Sequence, residues 1–299
     1  MKQIPLWTAV ALALTLGATA QNPPPAAPKA APSPHKLPDI SPVDLGKIEA
    51  AMPAKASVAP KKARKVLVFW RCEGFFHGGG IAAGNKAIEL MGTKTGAYTA
   101  ECSTDYDVFE AANLAKYDAV VLNNTTNLKL SDAQQQALLA FVRSGKGLIG
   151  IHAASDNFYQ WPDGAKMVGA LFNGHPWGGG GTWAFKIDEP NHTLTKAFGG
   201  KGFKLKDEIY EMKDPYSRAT CRVLLSLDLS DAATGGKNGK RADKDYAVAW
   251  IRKEAEGRVF YCSLGHDMNV FQDPAVVQFD LDGIQYALGD LDADATPKP

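Results

Sequence analysis

Three short stretches constrain this chain more than any other feature: Val66-Leu67-Val68-Phe69-Trp70, Asp118-Ala119-Val120-Val121-Leu122 and Gly147-Leu148-Ile149-Gly150-Ile151. Each is a nearly continuous apolar run without the polar alternation of a half-exposed strand. Such runs mark strands buried on both faces. Helix signals lie between them. A glycine-rich turn leads into a helix expected over roughly Ile81–Met91, followed by a strand at Tyr98–Ser103. Ser131 is an N-cap, Gln134 completes a capping box, and Gly145 stops that helix. This βαβ rhythm predicts an α/β fold, a mainly parallel sheet with helices on both faces.

The second half is less regular. Residues 153–220 form a long glycine- and tryptophan-rich excursion, read as an inserted loop region after the fourth strand. Strands are expected again at Arg222–Leu227, Tyr246–Ile251 and Arg258–Ser263, and a last helix over about Ala275–Leu288.

The N-terminal sixty residues read differently. Lys2, the apolar run Leu6–Leu16 and Ala18-Thr19-Ala20 match the three regions of a secretory signal peptide, assigned to residues 1–20. The run is too short to span about 30 Å of hydrocarbon, so no transmembrane segment is expected in the mature chain, which would be periplasmic or secreted. Of 18 prolines, ten lie between Gln21 and Arg64, together with ten alanines. That composition predicts a disordered, extended tether over 21–64, with a helical turn allowed at Val43–Met52. One α/β domain over 65–290 and a flexible tail over 291–299 complete the expected organisation. With 33 Lys+Arg against 32 Asp+Glu, nothing in the charge argues for nucleic acid or an anionic surface.

Chemistry is concentrated in the histidines. Five of six lie outside the tether: His77, His152, His175, His192 and His266. His77, His152 and His266 follow expected strands, and in a parallel sheet those strand ends share one edge. Imidazoles converging there with Asp156, Glu208 and Asp267 suit either acid–base work or metal binding. No HExxH spacing is present. His192, at a proline turn, reads as structural. Gly145-Lys146-Gly147-Leu148-Ile149-Gly150 matches GxGxxG but leaves a helix and enters a strand, the reverse of a dinucleotide fingerprint. No nucleotide cofactor is expected.

Several ordered signatures carry a resemblance. They are Phe75-Phe76-His77, Gly147 to Ser155 with His152 at its centre, Leu171-Phe172-Asn173-Gly174-His175-Pro176, Asp207-Glu208-Ile209-Tyr210, and Ala249-Trp250 followed by Gly257 to Asp267. Together these resemble the ThuA-like (trehalose utilisation) family over most of Lys65–Leu288. The resemblance implies a class I glutamine amidotransferase-like fold, a flavodoxin-like three-layer sandwich. Where amidotransferases carry a nucleophilic cysteine after a strand ending Gly-Ile, this chain has His152, which argues against glutaminase chemistry.

The resemblance further implies carbohydrate chemistry, tied to breakdown of disaccharides or their keto derivatives. In that scheme His77, His152, His266, Asp156 and Glu208 are the catalytic candidates. His175, Trp177, Trp183 and Asp267 would bind substrate, with Trp161 a further stacking candidate. A divalent metal on His77, His152 and His266 is one reading of the same residues. The expected partner is a small-molecule carbohydrate. An exported hydrolase, lyase or isomerase is favoured, and the alternative is a non-catalytic carbohydrate-binding domain on a tether.

Overall fold

The computed structural model describes Met1 and residues 33–299; the signal-peptide reading and residues 21–32 of the expected tether lie outside the described residues. Four parallel pairings build the first part of the sheet: β1 (Lys65–Phe69), β2 (Thr99–Ser103), β3 (Ala119–Asn123), β4 (Gly147–Ile151) and, late in the chain, β11 (Gly257–Cys262). The rest is antiparallel: β6 (Thr182–Ile187), β7 (Phe203–Lys206), β9 (Arg222–Leu227) and β10 (Ala247–Glu254). The nine strands run β2-β1-β3-β4-β11-β10-β9-β6-β7, and β5 (Leu171–Phe172) pairs with β8 (Met212–Lys213) as a separate ribbon.

Period-two alternation explains the layers. Val66 and Val68 of β1 join one core with Ala83, Ile88 and Met91 of α2 (Gly78–Thr95) and Val276 and Phe279 of a C-terminal helix, Pro274–Ala287. Leu67 and Phe69 point the other way. They share the second core with Leu114 of α3 (Ala111–Leu114), Leu138, Leu139, Phe141 and Val142 of α4 (Asp132–Arg143) and Met167 of α5 (Pro162–Val168). The α/β sandwich expected from the apolar runs is present. The capping box at Ser131 and Gln134 forms, and Gly145 takes the left-handed conformation, φ +103°, that ends α4's connection.

Three expectations require correction. The inserted loop region is built structure: α5, β5, β6, β7 and β8 lie within 153–220, and β6 and β7 extend the main sheet. β7 alternates half-buried Phe203 and Leu205 with exposed Lys204 and Lys206 over only four residues, too short a pattern to stand out in the sequence. The expected tether is docked throughout its described part. Ser41 caps α1 (Pro42–Ala51), Pro42 occupies the first turn where its missing N–H is harmless, and Ile48, Ala51 and Met52 enter the first core. Downstream, Ser57 and Val58 bond to Gln285, and Arg64 forks onto Asp290 with Nη2–Oδ1 at 2.5 Å. The tail is also anchored. Leu291 is buried, and Arg222 donates to the Thr296 carbonyl and to Asp294.

The short α6 (Ala232–Gly235) backs Trp177 through Thr234, and the Pro274–Ala287 helix of the first core is α7. All four cysteines are free thiols. Among the described residues no helix is long and apolar enough to cross a membrane.

Because Ile48 is fully buried in the shared core, Ile48→Ala is expected to destabilise the whole domain by about 2–5 kcal/mol in urea unfolding. A change under about 0.5 kcal/mol would show that α1 is not part of the cooperative unit.

Candidate functional site

Parallel pairing places the carboxyl ends of β1, β3, β4 and β11 on one edge, where ligands bind in open α/β sheets. Four segments leave that edge together. β1 leads to His77, the residue before α2; β3 ends at Asn123 and leads to Asn124; β4 leads directly to His152; β11 leads to His266. Close approach is made by Gly80: a Cβ there would sit 2.4 Å from the His266 carbonyl oxygen. The antiparallel wing contributes Glu208, two residues beyond β7.

His77, His152 and His266 form a three-sided cluster. Their ring centroids are 4.9, 5.2 and 5.3 Å apart, each pair edge to face. Glu208 closes the fourth side. Its Oε2 lies 3.7 Å from Nε2 of both His152 and His266, and its Oε1 lies 3.3 Å from His175 Nδ1. The 3.7 Å separations are too long for hydrogen bonds.

Each ring is held from behind. His152 is wholly buried, with φ +47°, a left-handed conformation uncommon outside glycine. It is locked there because its Nδ1 donates to the Ser263 carbonyl at 2.7 Å and its own carbonyl accepts from Tyr261 Oη at 2.6 Å. His266 Nδ1 bonds Asp267 Oδ1 at 3.0 Å. His77 Nε2 meets the Tyr210 hydroxyl at 3.3 Å, and the Tyr210 ring packs 4.3 Å from His152. Underneath, buried Asp207 accepts the backbone N–H groups of Gly265, His266 and Asp267, which fixes the loop that carries His266.

Burial sets the charge states. Desolvation, then the neighbouring His152, His266 and His175, drives His77 down to about 2, and desolvation likewise lowers His152. Both are neutral imidazoles at physiological pH. Burial pushes Glu208 up, but the His152, His266 and His175 rings around it outweigh that and hold it below the usual carboxylate range. Glu208 is therefore ionised. Burial raises Asp207 well above its ordinary value, with the Asp267 charge adding to the rise.

The other sequence candidates are distributed unevenly. His175 reaches the site from the solvent side, about half exposed, stacked on Phe172 at 6.0 Å. Asp156 is not part of the cluster and accepts from Tyr159 Oη at 2.5 Å. The tryptophans do not present faces to a ligand, which corrects their assignment as stacking residues. Trp177 and Trp183 are buried and donate their indole N–H to the carbonyls of Thr234 and of Asp207 and Gly178; Trp161 is buried in the second core. Gly179 instead runs past the His266 ring. The exposed aromatic at the rim is Phe75, 67% exposed and 4.8 Å edge-on from His77. His192 caps a turn, accepting from the Leu194 N–H and contacting the Asp294 carbonyl, outside the cluster. Sequence reasoning did not single out Tyr210, Asp207 as a loop anchor, or Asn124, whose amide donates to the Gly265 carbonyl. An acidic pair followed directly by Ile209-Tyr210 was the available signal, since apolar neighbours imply that one carboxylate is buried.

An α/β sandwich carrying neutral imidazoles and an ionised carboxylate at its carboxyl edge defines the class. Comparison with known proteins narrows it. Residues 65–287 match the model of the ThuA family, described as trehalose utilisation, and the chain belongs to that family. The fold is shared with a putative ThuA-like protein from Bacteroides uniformis ATCC 8492, at 20% identity and TM-score 0.64 over 79% of this chain and 94% of that one. A second, from Parabacteroides merdae ATCC 43184, is 18% identical with TM-score 0.59, covering 80% and 93%. A search of curated protein sequences gave no match.

Loss of the three backbone acceptor bonds in Asp207→Ala should destabilise the protein by about 3 kcal/mol, near 1 per bond, in urea unfolding. An unchanged midpoint would mean that Asp207 does not anchor the His266 loop.

Proposed function

We propose that this ThuA-family chain is an exported carbohydrate-active enzyme acting on a sugar or glycoside, of the disaccharide or keto-sugar type, outside the cytoplasm. The observation that carries the reading is the convergence of three imidazoles on one ionised carboxylate, open to solvent on the His175 and His266 side. The family description supports the substrate class, and the leader read in residues 1–20 supports the location.

The proton inventory fits elimination or hydrolysis at a carbon beside a carbonyl. Neutral His152 and the Glu208 carboxylate offer basic lone pairs into the same space. Either accepts a proton from the sugar carbon or from water. His266, with Asp267 behind Nδ1 and Glu208 facing Nε2, is placed to carry positive charge and return a proton to the departing oxygen. This pairing of an imidazole with an orienting carboxylate fixes tautomer and stabilises the imidazolium. His175 and Phe75 flank the entrance, where an apolar sugar face and its hydroxyls would meet a ring and a donor.

Turnover of a panel of disaccharides and 3-keto-glycosides should fall by about 10²–10⁴-fold in Glu208→Gln and in His152→Ala, while His192→Ala retains it. Sugar binding without turnover in the wild type would favour a carbohydrate-binding module over an enzyme. Unchanged rates in Glu208→Gln would contradict the assignment of the site.

A further inference from the structure

Two buried nitrogens in the cluster have no hydrogen-bond partner: His77 Nδ1 and His152 Nε2. Their residues are 6% and 0% exposed. A buried polar atom left unmade costs about 1–3 kcal/mol, so two side by side call for a cause.

Tautomers show what these atoms offer. The Ser263 carbonyl can only accept, so His152 Nδ1 carries the proton and Nε2 is a bare lone pair. The Asp267 carboxylate does the same for His266, whose Nε2 also faces Glu208. On His77 the Tyr210 hydroxyl occupies Nε2, leaving Nδ1 unused. Three rings thus have one nitrogen tied to a carbonyl, a carboxylate or a hydroxyl, with the other nitrogen of His152 and His266 turned toward an ionised carboxylate. Metal-ligating histidines are held in this way: the outer partner sets the tautomer and the inner lone pair binds the ion.

Spacing agrees. One ligand atom from each of His77, His152, Glu208 and His266 lies within 4.8 Å of all the others. Four ligands at about 2.1 Å in a tetrahedron are about 3.4 Å apart, close to the two 3.7 Å Nε2–Oε2 separations. Asp207, His266 and Asp267 are also grouped, but there Asp207 is already spent on three backbone donors and His266 Nδ1 on Asp267.

We infer that His77, His152, His266 and Glu208 bind one first-row divalent transition-metal ion. The donor set is three imidazole nitrogens and one carboxylate oxygen. It suits the zinc, cobalt, nickel and iron(II) class, whereas magnesium and calcium prefer oxygen shells. His266 and Glu208 are the more exposed of the four, and Glu208 faces His175, so that is the side on which a sugar oxygen would reach the ion. The inference deepens the proposed function of this same site. With an ion bound, the three imidazoles would hold it as neutral ligands, the ion would supply polarisation of a sugar carbonyl or hydroxyl, and the carboxylate's second oxygen, next to His175, would take over proton transfer from the His152 lone pair.

Metal binding is measured without any substrate. The full chain is stripped with a chelator and titrated with Co²⁺ and Zn²⁺, following calorimetry and the visible Co²⁺ absorption. Expected are saturation at one ion per chain, a ligand-field band in the visible, and a rise in thermal midpoint with Zn²⁺. His266→Ala and Glu208→Gln should each weaken binding by about 100-fold or more, with His192→Ala unchanged. His152→Ala should abolish it. Because that residue is fully buried, circular dichroism accompanies the titration, and the two less buried variants decide if His152→Ala unfolds. Absence of saturable binding in the stripped wild type, or undiminished binding in both His266→Ala and Glu208→Gln, overturns the inference. Metal binding with no turnover of any sugar leaves the centre standing and overturns the substrate class instead.

Discussion

Parallel pairing of β1, β3, β4 and β11 is the constraint on which the rest depends. A parallel strand must return to the same edge before its successor begins, so the residues just past each strand end are gathered whatever their distance in sequence. His77 and His266 are separated by most of the domain, yet their rings lie 5.2 Å apart. Shifting one strand by one residue would turn a histidine into a core layer and replace it with an apolar side chain. Register and site are therefore selected together.

Around that edge the protein spends polar groups on orientation. The Ser263 carbonyl, Asp267, Tyr210 and Asp207 set rings and loops. His152 shows the cost, being held with positive φ and no water contact. Strain and desolvation at one residue, kept in place by bonds at both its ring and its carbonyl, mark a site organised before anything binds. The antiparallel wing then adds an ionised carboxylate, Glu208, opposite the neutral His77 and His152.

The layers of the domain were legible because continuous apolar runs have few alternatives, and the edge followed from them. Ser131 with Gln134 and Gly145 stated their own helix. The failures have physical causes. Proline density over 21–64 suggested an extended chain; the helical turn allowed at Val43–Met52 forms as α1, and what the composition hid is that three apolar residues at helical spacing dock it. Trp177 and Trp183 looked like stacking surfaces because local sequence does not tell a buried indole from an exposed one; their N–H partners, Thr234 and Asp207, are distant in the chain. Phe75 stands in the sequence only as part of the Phe75-Phe76-His77 signature, and its exposure emerges from the turn that follows β1.

The central claim is that neutral imidazoles of fixed tautomer face Glu208 across one small space. Nitrogen-15 spectra of the histidine side chains test it directly. The account predicts that His152 and His266 carry their protons on Nδ1, and that His152 is still neutral at the pH where a free imidazole is half protonated. A protonated Nε2 on neutral His152, or an imidazolium there at neutral pH, would contradict it.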